Sequence, residues 1–155
     1  MIKLNIVAVG KLKEKFWKDA IAEYSKRISR YADIKIIEVA EVADEGASSA
    51  ELQCQAEAAG IIKNIKGCAV LMDIGGTMVT SEQLSTLITD SATEGQSELT
   101  FIIGGSRGVS SQVRALCKNR ISFGRVTYPH QLMRVILTEQ LYRAMTISVG
   151  ASYHK

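Results

Sequence analysis

The residues best suited to chemistry gather in the last third of this 155-residue chain. The apolar run Leu99 to Ile103 enters Gly104-Gly105-Ser106-Arg107-Gly108 directly, and Ser110 stands where it can cap a following helix. Glycine has no Cβ and reaches positive φ, so such a turn lets backbone come close to a ligand; glycines that merely make a tight turn fit the same pattern. The spacing is not G-x-G-x-x-G and the turn does not follow the first strand, which argues against a dinucleotide fingerprint. No G-K-[ST] follows, so it is not a Walker loop. Further on, Arg143 lies four residues after Glu139, the order that favours an ion pair on a helix surface. The chain ends Tyr153-His154-Lys155, a stacking ring, a titratable imidazole and a cation. Together they suit a nucleobase and its phosphate, although an isolated His so near a terminus carries little weight alone.

Those groups need elements to hold them. Ile2 to Val9 is rich in Ile and Val and stops at Gly10, as a buried strand does. From Glu14 to Arg30 the residues Phe16, Trp17, Ala20, Ile21, Tyr24 and Ile28 recur at helical spacing and share one face. Ile34 to Val42 reads as a second strand. Asp44 to Ser49 is a polar loop ending in a capping box, Ser48 with Glu51, before a helix that runs to about Ile65. Cys68 to Ile74 is a continuous apolar run closed by Gly75-Gly76, the pattern of a strand covered on both faces. Thr80 and Gln83 repeat the capping-box spacing ahead of a helix reaching about Thr93. A short strand at Ile121 to Phe123 leads through Gly124 to Tyr128, and Pro129 falls in the first turn of a final helix, about His130 to Ile147. Strands alternate with helices without a repeat or a linker, which predicts a single α/β domain over residues 1–155 with a largely parallel sheet flanked by helices.

The final helix carries Leu132, Met133, Val135, Ile136, Leu137, Leu141, Tyr142, Ala144 and Met145, more apolar surface than one core-facing stripe requires. A second subunit is the simplest cover, the chain's own first helix the alternative.

With 46% hydrophobic and 23% charged residues, wholesale disorder and fibrous repeats are excluded. The first ten residues hold only a short, polar-interrupted apolar run without a cleavage site, and no stretch approaches the roughly 20 apolar residues of a membrane span. A cytoplasmic protein without membrane contact is expected. Cys54, Cys68 and Cys117 are widely separated and form no C-x-x-C or zinc pattern, so they read as small hydrophobes and no metal is expected. Charge is uneven. Residues 1–35 hold nine Lys/Arg against four Asp/Glu, residues 36–106 two against eleven, and residues 107–155 eight against one. Two basic ends around an acidic middle point to a polyanion-facing surface if the ends meet in space.

The series Ile103-Gly104-Gly105-Ser106-Arg107-Gly108, Ser122-Phe123, Thr127-Tyr128-Pro129-His130-Gln131, Arg134-Val135, Glu139-Gln140, Tyr142-Arg143-Ala144 and Tyr153-His154-Lys155 resembles the ribosomal pseudouridine N3-methyltransferase family, RlmH, of the SPOUT class. Val7-Ala8-Val9-Gly10-Lys11 and the chain length extend the likeness to the whole sequence. The resemblance implies a C-terminal trefoil knot, bound S-adenosylmethionine, a homodimer, and large-subunit ribosomal RNA, as an assembled ribosome, for substrate. Topology rules alone would have returned an unknotted sheet.

By position, the resemblance puts cofactor contacts at Met72, Gly104, Phe123, Gly124, Arg125, Val126, Thr127 and Tyr128, with Met72 standing where leucine is common. Arg107, Tyr153 and Lys155 are expected on the substrate, the last two because a stacking ring and a cation suit a base and its phosphate. Methyl transfer from a sulfonium is an in-line displacement that needs positioning, plus relief of the proton on a weakly acidic imide N3. Arg143 and His154 are the candidates for that second task, with the tail of one subunit near its partner's cofactor; His130 is better placed to orient the helix start. A non-catalytic ribosome-binding factor and a SPOUT methyltransferase acting on tRNA are the neighbouring readings.

Overall fold

Among the residues described by the computed structural model, 1–42 and 50–154, five strands alternate with five α-helices. They are β1 (Ile2–Val9), α1 (Lys15–Ile28), β2 (Ala32–Val39), α2 (Ala50–Ile62), β3 (Cys68–Met78), α3 (Ser81–Thr93), β4 (Glu98–Ile103), α4 (Ser111–Leu116), β5 (Asn119–Ser122) and α5 (His130–Ser148). A 3₁₀ turn, Ser152–His154, follows. The strands form one sheet in the order β2-β1-β4-β3-β5, and every ladder is parallel.

Alternation along β1 explains why its apolar run is continuous. Leu4, Ile6 and Ala8 join Ile28, Leu84, Ile88, Leu137 and Leu141 beneath α1, α3 and α5. Val7 and Val9 join Ala58, Ile61 and Val113 beneath α2 and α4. With both sheet faces covered, a central strand needs apolar residues at successive positions. The caps follow the sequence: Thr80 and Gln83 make both reciprocal capping-box bonds, at 3.1 and 2.8 Å, and the Ser110 hydroxyl accepts from the Val113 N–H. The Ser48–Glu51 box lies outside the described residues, because Ser48 does.

Four expectations change. Gly75-Gly76 does not end β3. The strand bulges between Met72 and Thr77, both of which pair with Ile121, and then continues to Met78. A Cβ on Gly76 would stand 2.7 Å from the Arg120 carbonyl oxygen, so glycine permits the bulge rather than a stop. Phe16 is 62% exposed, its ring tilted against Trp17, while Ile21 and Ile28 carry the buried face of α1. Pro129 is the N-cap of α5 instead of a first-turn residue. Finally, α5 packs between α1 and α3 of its own chain, which covers part of the surface a second subunit was expected to cover; Leu132, Val135, Ile136 and Tyr142 keep partial exposure.

Candidate active site at the β3 bulge and the carboxyl ends of β4 and β5

Parallel strands deliver their carboxyl ends to one edge, and here β4 and β5 open there on either side of the β3 bulge that begins at Met72. A cavity of about 200 Å³ lies between the segments that follow. Its walls are apolar, from Met72, Ile74, Ile103, Ile121, Phe123, Val126 and Met133, with Asp73, Ser122, Thr127, Tyr128 and His130 supplying polar groups and Gly104, Gly105, Gly108 and Gly124 bare backbone.

The glycine turn is shaped from behind. A Cβ on Gly104 would sit 2.8 Å from both the Gly108 carbonyl oxygen and Val109 Cγ1, so the turn folds back on that position. Gly105 backs onto Val9 and onto Glu57 of α2, whose carboxylate is 3.2 Å from where its Cβ would be. Glu57 is buried and accepts the Val42 N–H at 3.1 Å; burial pushes its carboxyl above the usual range. Beyond β5, the Ser122 hydroxyl donates to the Gly124 carbonyl at 2.8 Å and accepts the Gly124 N–H, fixing where that loop departs.

Arg134 anchors the first turns of α5, beside the cavity-lining Met133. Its side chain is 2% exposed, and Nη1 donates to Glu38 Oε2 at 2.7 Å while Nη2 donates to the Gly10 carbonyl at 3.2 Å. The Leu12 N–H donates to the same Glu38 oxygen at 2.8 Å, so one ion pair ties the exit of β1, the end of β2 and the first turns of α5. Burial pushes the Glu38 carboxyl up, but the Leu12 N–H, Arg134 and Lys11 outweigh it and hold it below the usual carboxylate range.

Seven of the residues expected at the cofactor, Met72, Gly104, Phe123, Gly124, Val126, Thr127 and Tyr128, line the cavity. Arg125 does not; its guanidinium turns outward to the Ile74 carbonyl at 3.3 Å. Arg107 is exposed on the glycine turn. His130 lines the cavity wall besides opening α5. Arg143 and His154 lie elsewhere: Arg143 is thirteen residues along α5 from His130, about 20 Å at the helical rise. There Glu139 Oε1 accepts from Arg143 Nε and Nη2 at 3.0 and 2.7 Å and from the Tyr153 hydroxyl at 3.3 Å. The Tyr153 ring lies 4.5 Å from Tyr142 and 4.9 Å beneath the Arg143 guanidinium, so the tail is folded onto its own helix. Lys155 lies outside the described residues.

Sequence reasoning missed Glu38, Glu57, Asp73 and the role of Arg134. For Arg134 a signal existed: with Leu137, Thr138 and Leu141 it forms the i, i+3, i+4, i+7 stripe, which marks it as a buried charge in need of a partner.

An all-parallel five-stranded sheet with one apolar, glycine-edged cavity beside its strand ends is the architecture of a small-molecule-binding α/β domain. The chain belongs to the family described as "Predicted SPOUT methyltransferase", which matches residues 2–154. A Streptococcus uberis protein named "Ribosomal RNA large subunit methyltransferase H" is 47% identical, covering 99% of this chain and 100% of its own. A Methanococcus maripaludis protein with the same name prefixed "Putative" is 46% identical at the same coverage. Among solved structures, a probable methylase family protein from Haemophilus influenzae Rd KW20 superposes with a TM-score of 0.53 at 10% identity, covering 98% of this chain and 70% of that one. TrmJ from Z. mobilis ZM4 gives 0.50 at 15% identity, covering 94% and 70%. These two likenesses speak for the fold.

Proposed function

We propose that the protein transfers a methyl group from S-adenosylmethionine to N3 of a pseudouridine in large-subunit ribosomal RNA, acting as a cytoplasmic homodimer on the assembled ribosome. What carries the reading is the cavity, lined by seven of the eight residues that the family resemblance assigns to the cofactor, in a chain 47% identical over 99% of its length to a relative named for ribosomal RNA methylation. The C-terminal knot belongs to the same proposal.

The cavity suits the cofactor. Its apolar walls fit an adenine, and the turn glycines and Ser122 to Tyr128 offer backbone groups at close range. S-adenosylmethionine, when bound, supplies a methyl group on a sulfonium. The protein's part is to hold the target imide in line with it and to stabilise the N3 anion. Arg143 is the cation for that anion and His154 the proton acceptor or orienting group. Because neither lines the cavity of its own chain, they serve the cavity of a second copy, whose association uses the partly exposed residues of α5.

Mass mapping of ribosomal and transfer RNA tests this. In cells lacking the gene, one large-subunit pseudouridine loses its N3-methyl, and purified protein with S-adenosylmethionine restores it on ribosomes. An unchanged ribosomal RNA map with an altered transfer RNA map moves the substrate; no altered map in either, with cofactor binding absent by calorimetry, makes the protein a non-catalytic binder. The cavity assignment has its own test. Gly104→Val forces a side chain onto Gly108 and Val109 and displaces the turn, so S-adenosylmethionine affinity should fall by at least about 100-fold, roughly 2.8 kcal/mol. Wild-type affinity would remove this turn from the site.

A further inference from the structure

We infer that the β5 edge of the sheet is a phosphate track for the RNA strand that leads into the cavity. The inference rests on the proposed RNA substrate and adds where that RNA lies. β5 is the outer strand, paired with β3 on one side only. Along it stand Arg114 at the end of α4, Lys118 and Arg120, with side chains 42, 64 and 52% exposed. All three come from the segment that holds eight Lys/Arg against one acid. Beside them runs a groove of about 510 Å³, with Lys118, Asn119 and Arg120 on one side and Thr77 and Met78 on the other.

The cations are set up to receive an anion. Asp73, 17% exposed, takes Arg114 Nη1 at 2.7 Å and stands 3.8 Å from Arg120 Nη1, while the Gly75 N–H donates to its other oxygen. One largely buried carboxylate therefore orients two guanidiniums, each of which has five N–H donors to offer. Lys118 is paired with Glu94 at 3.5 Å, but both are 64% exposed, and such a contact contributes so little that a phosphate can replace it.

The track also reaches the chemistry. Asp73 lines the active-site cavity, and a smaller cavity of about 170 Å³ shares Met72, Asp73 and Gly104 with it and extends to Arg114. A strand whose phosphates lie on Arg114, Lys118 and Arg120 therefore passes the cavity mouth. The cations outnumber the carboxylates paired with them among the described residues, Asp73 and Glu94, which favours a polyanion over a protein partner.

The test compares Lys118→Gln/Arg120→Gln, which leaves the Arg114–Asp73 bond intact, with the triple variant that adds Arg114→Gln. Methyl transfer to unmodified ribosomes is measured over a salt series. We expect the ribosome KM to rise by at least about tenfold in the triple variant, and the slope of log affinity against log salt to flatten by about 1 to 2 in the double and 2 to 3 in the triple. In the double variant the kcat and the S-adenosylmethionine affinity stay at wild-type values, the latter showing that it is folded; circular dichroism and a thermal melt establish that the triple variant is folded. Unchanged KM and slope overturn the track, and so does an equal effect from Lys18→Gln/Lys26→Gln/Lys35→Gln, which would make it net charge alone. If the wild type itself methylates no ribosome, the substrate reading falls first; if it does and the variants match it, only the track falls.

Discussion

Removing Tyr153 to Lys155 leaves S-adenosylmethionine affinity unchanged and lowers methyl transfer by at least about 100-fold, the scale of a lost acid–base or positioning group. The argument is spatial. Neither described residue of the tail, Tyr153 or His154, lines the cavity, so cofactor binding should be spared. Arg143 and Tyr153 share the Glu139 carboxylate, and Arg143 lies about 15 Å along α5 from Met133 in the cavity wall, which is why the proposed function assigns them to the cavity of a second copy. Burial, with Glu139 next, pushes the Tyr153 phenol up, which keeps it a hydroxyl donor to that carboxylate. His154→Ala should reproduce much of the loss. Mixing subunits decides the geometry: a truncated protomer keeps its cavity, a Gly104→Val protomer keeps its tail, and each homodimer is inactive. Their heterodimer joins one intact cavity to one intact tail, so activity returns on mixing. A mixture that stays inactive would mean that each cavity uses its own tail, and full activity in the truncated protein would end the tail's role altogether.

Glu38→Ala should destabilise the protein by about 3–5 kcal/mol, more than Arg134→Met does, although the two side chains form one ion pair. Their surroundings are unequal. Loss of Glu38 strands a guanidinium that is 2% exposed, whereas loss of Arg134 leaves a carboxylate that is 40% exposed and can take up water. Methionine also refills much of the arginine's apolar stem volume. Urea titration of both variants checks this, and an equal or greater loss in Arg134→Met would contradict it. The pair also sets an acid limit. Glu38 titrates lower in the folded chain than its ordinary 4.5, so its contribution is complete above that value and drains away as pH falls below it through the folded pKa. In Glu38→Ala that part of the acid-side loss should disappear.

Periodicity located the elements because each strand is covered on both faces and each helix has a defined stripe. It failed where one residue type serves two purposes. Gly75-Gly76 reads equally as a strand end and as a bulge, and only the approach of the Arg120 carbonyl to Gly76 distinguishes them. Phe16 fell on the apolar spacing of α1 yet faces solvent, since a helix end can extend past the core that its middle covers. The cavity residues were legible through the family resemblance, and the loops after the parallel strands β4 and β5 do converge on them. Arg125 was not, because adjacent loop residues point in opposite directions and no period says which. Glu57 and Asp73 were invisible for another reason: they work by supporting a turn and two arginines that are distant in sequence, and no spacing rule relates α2 to Gly105 or β3 to Arg114.

The sheet order also governs how the chain is made. β1 has β2 as its partner once residue 39 exists, but its other edge pairs with β4, from Lys3 against Glu98 to Ala8 against Ile103. A ribosome adding about 5–20 residues per second needs roughly 5–20 s to cover that interval. Throughout it, an Ile- and Val-rich strand destined for the centre of the sheet presents an open hydrogen-bonding edge, and α5, which seals the same face, emerges later still. Nascent chains of this protein are therefore exposed to strand-to-strand aggregation, and to capture by chaperones, until the sequence passes residue 103.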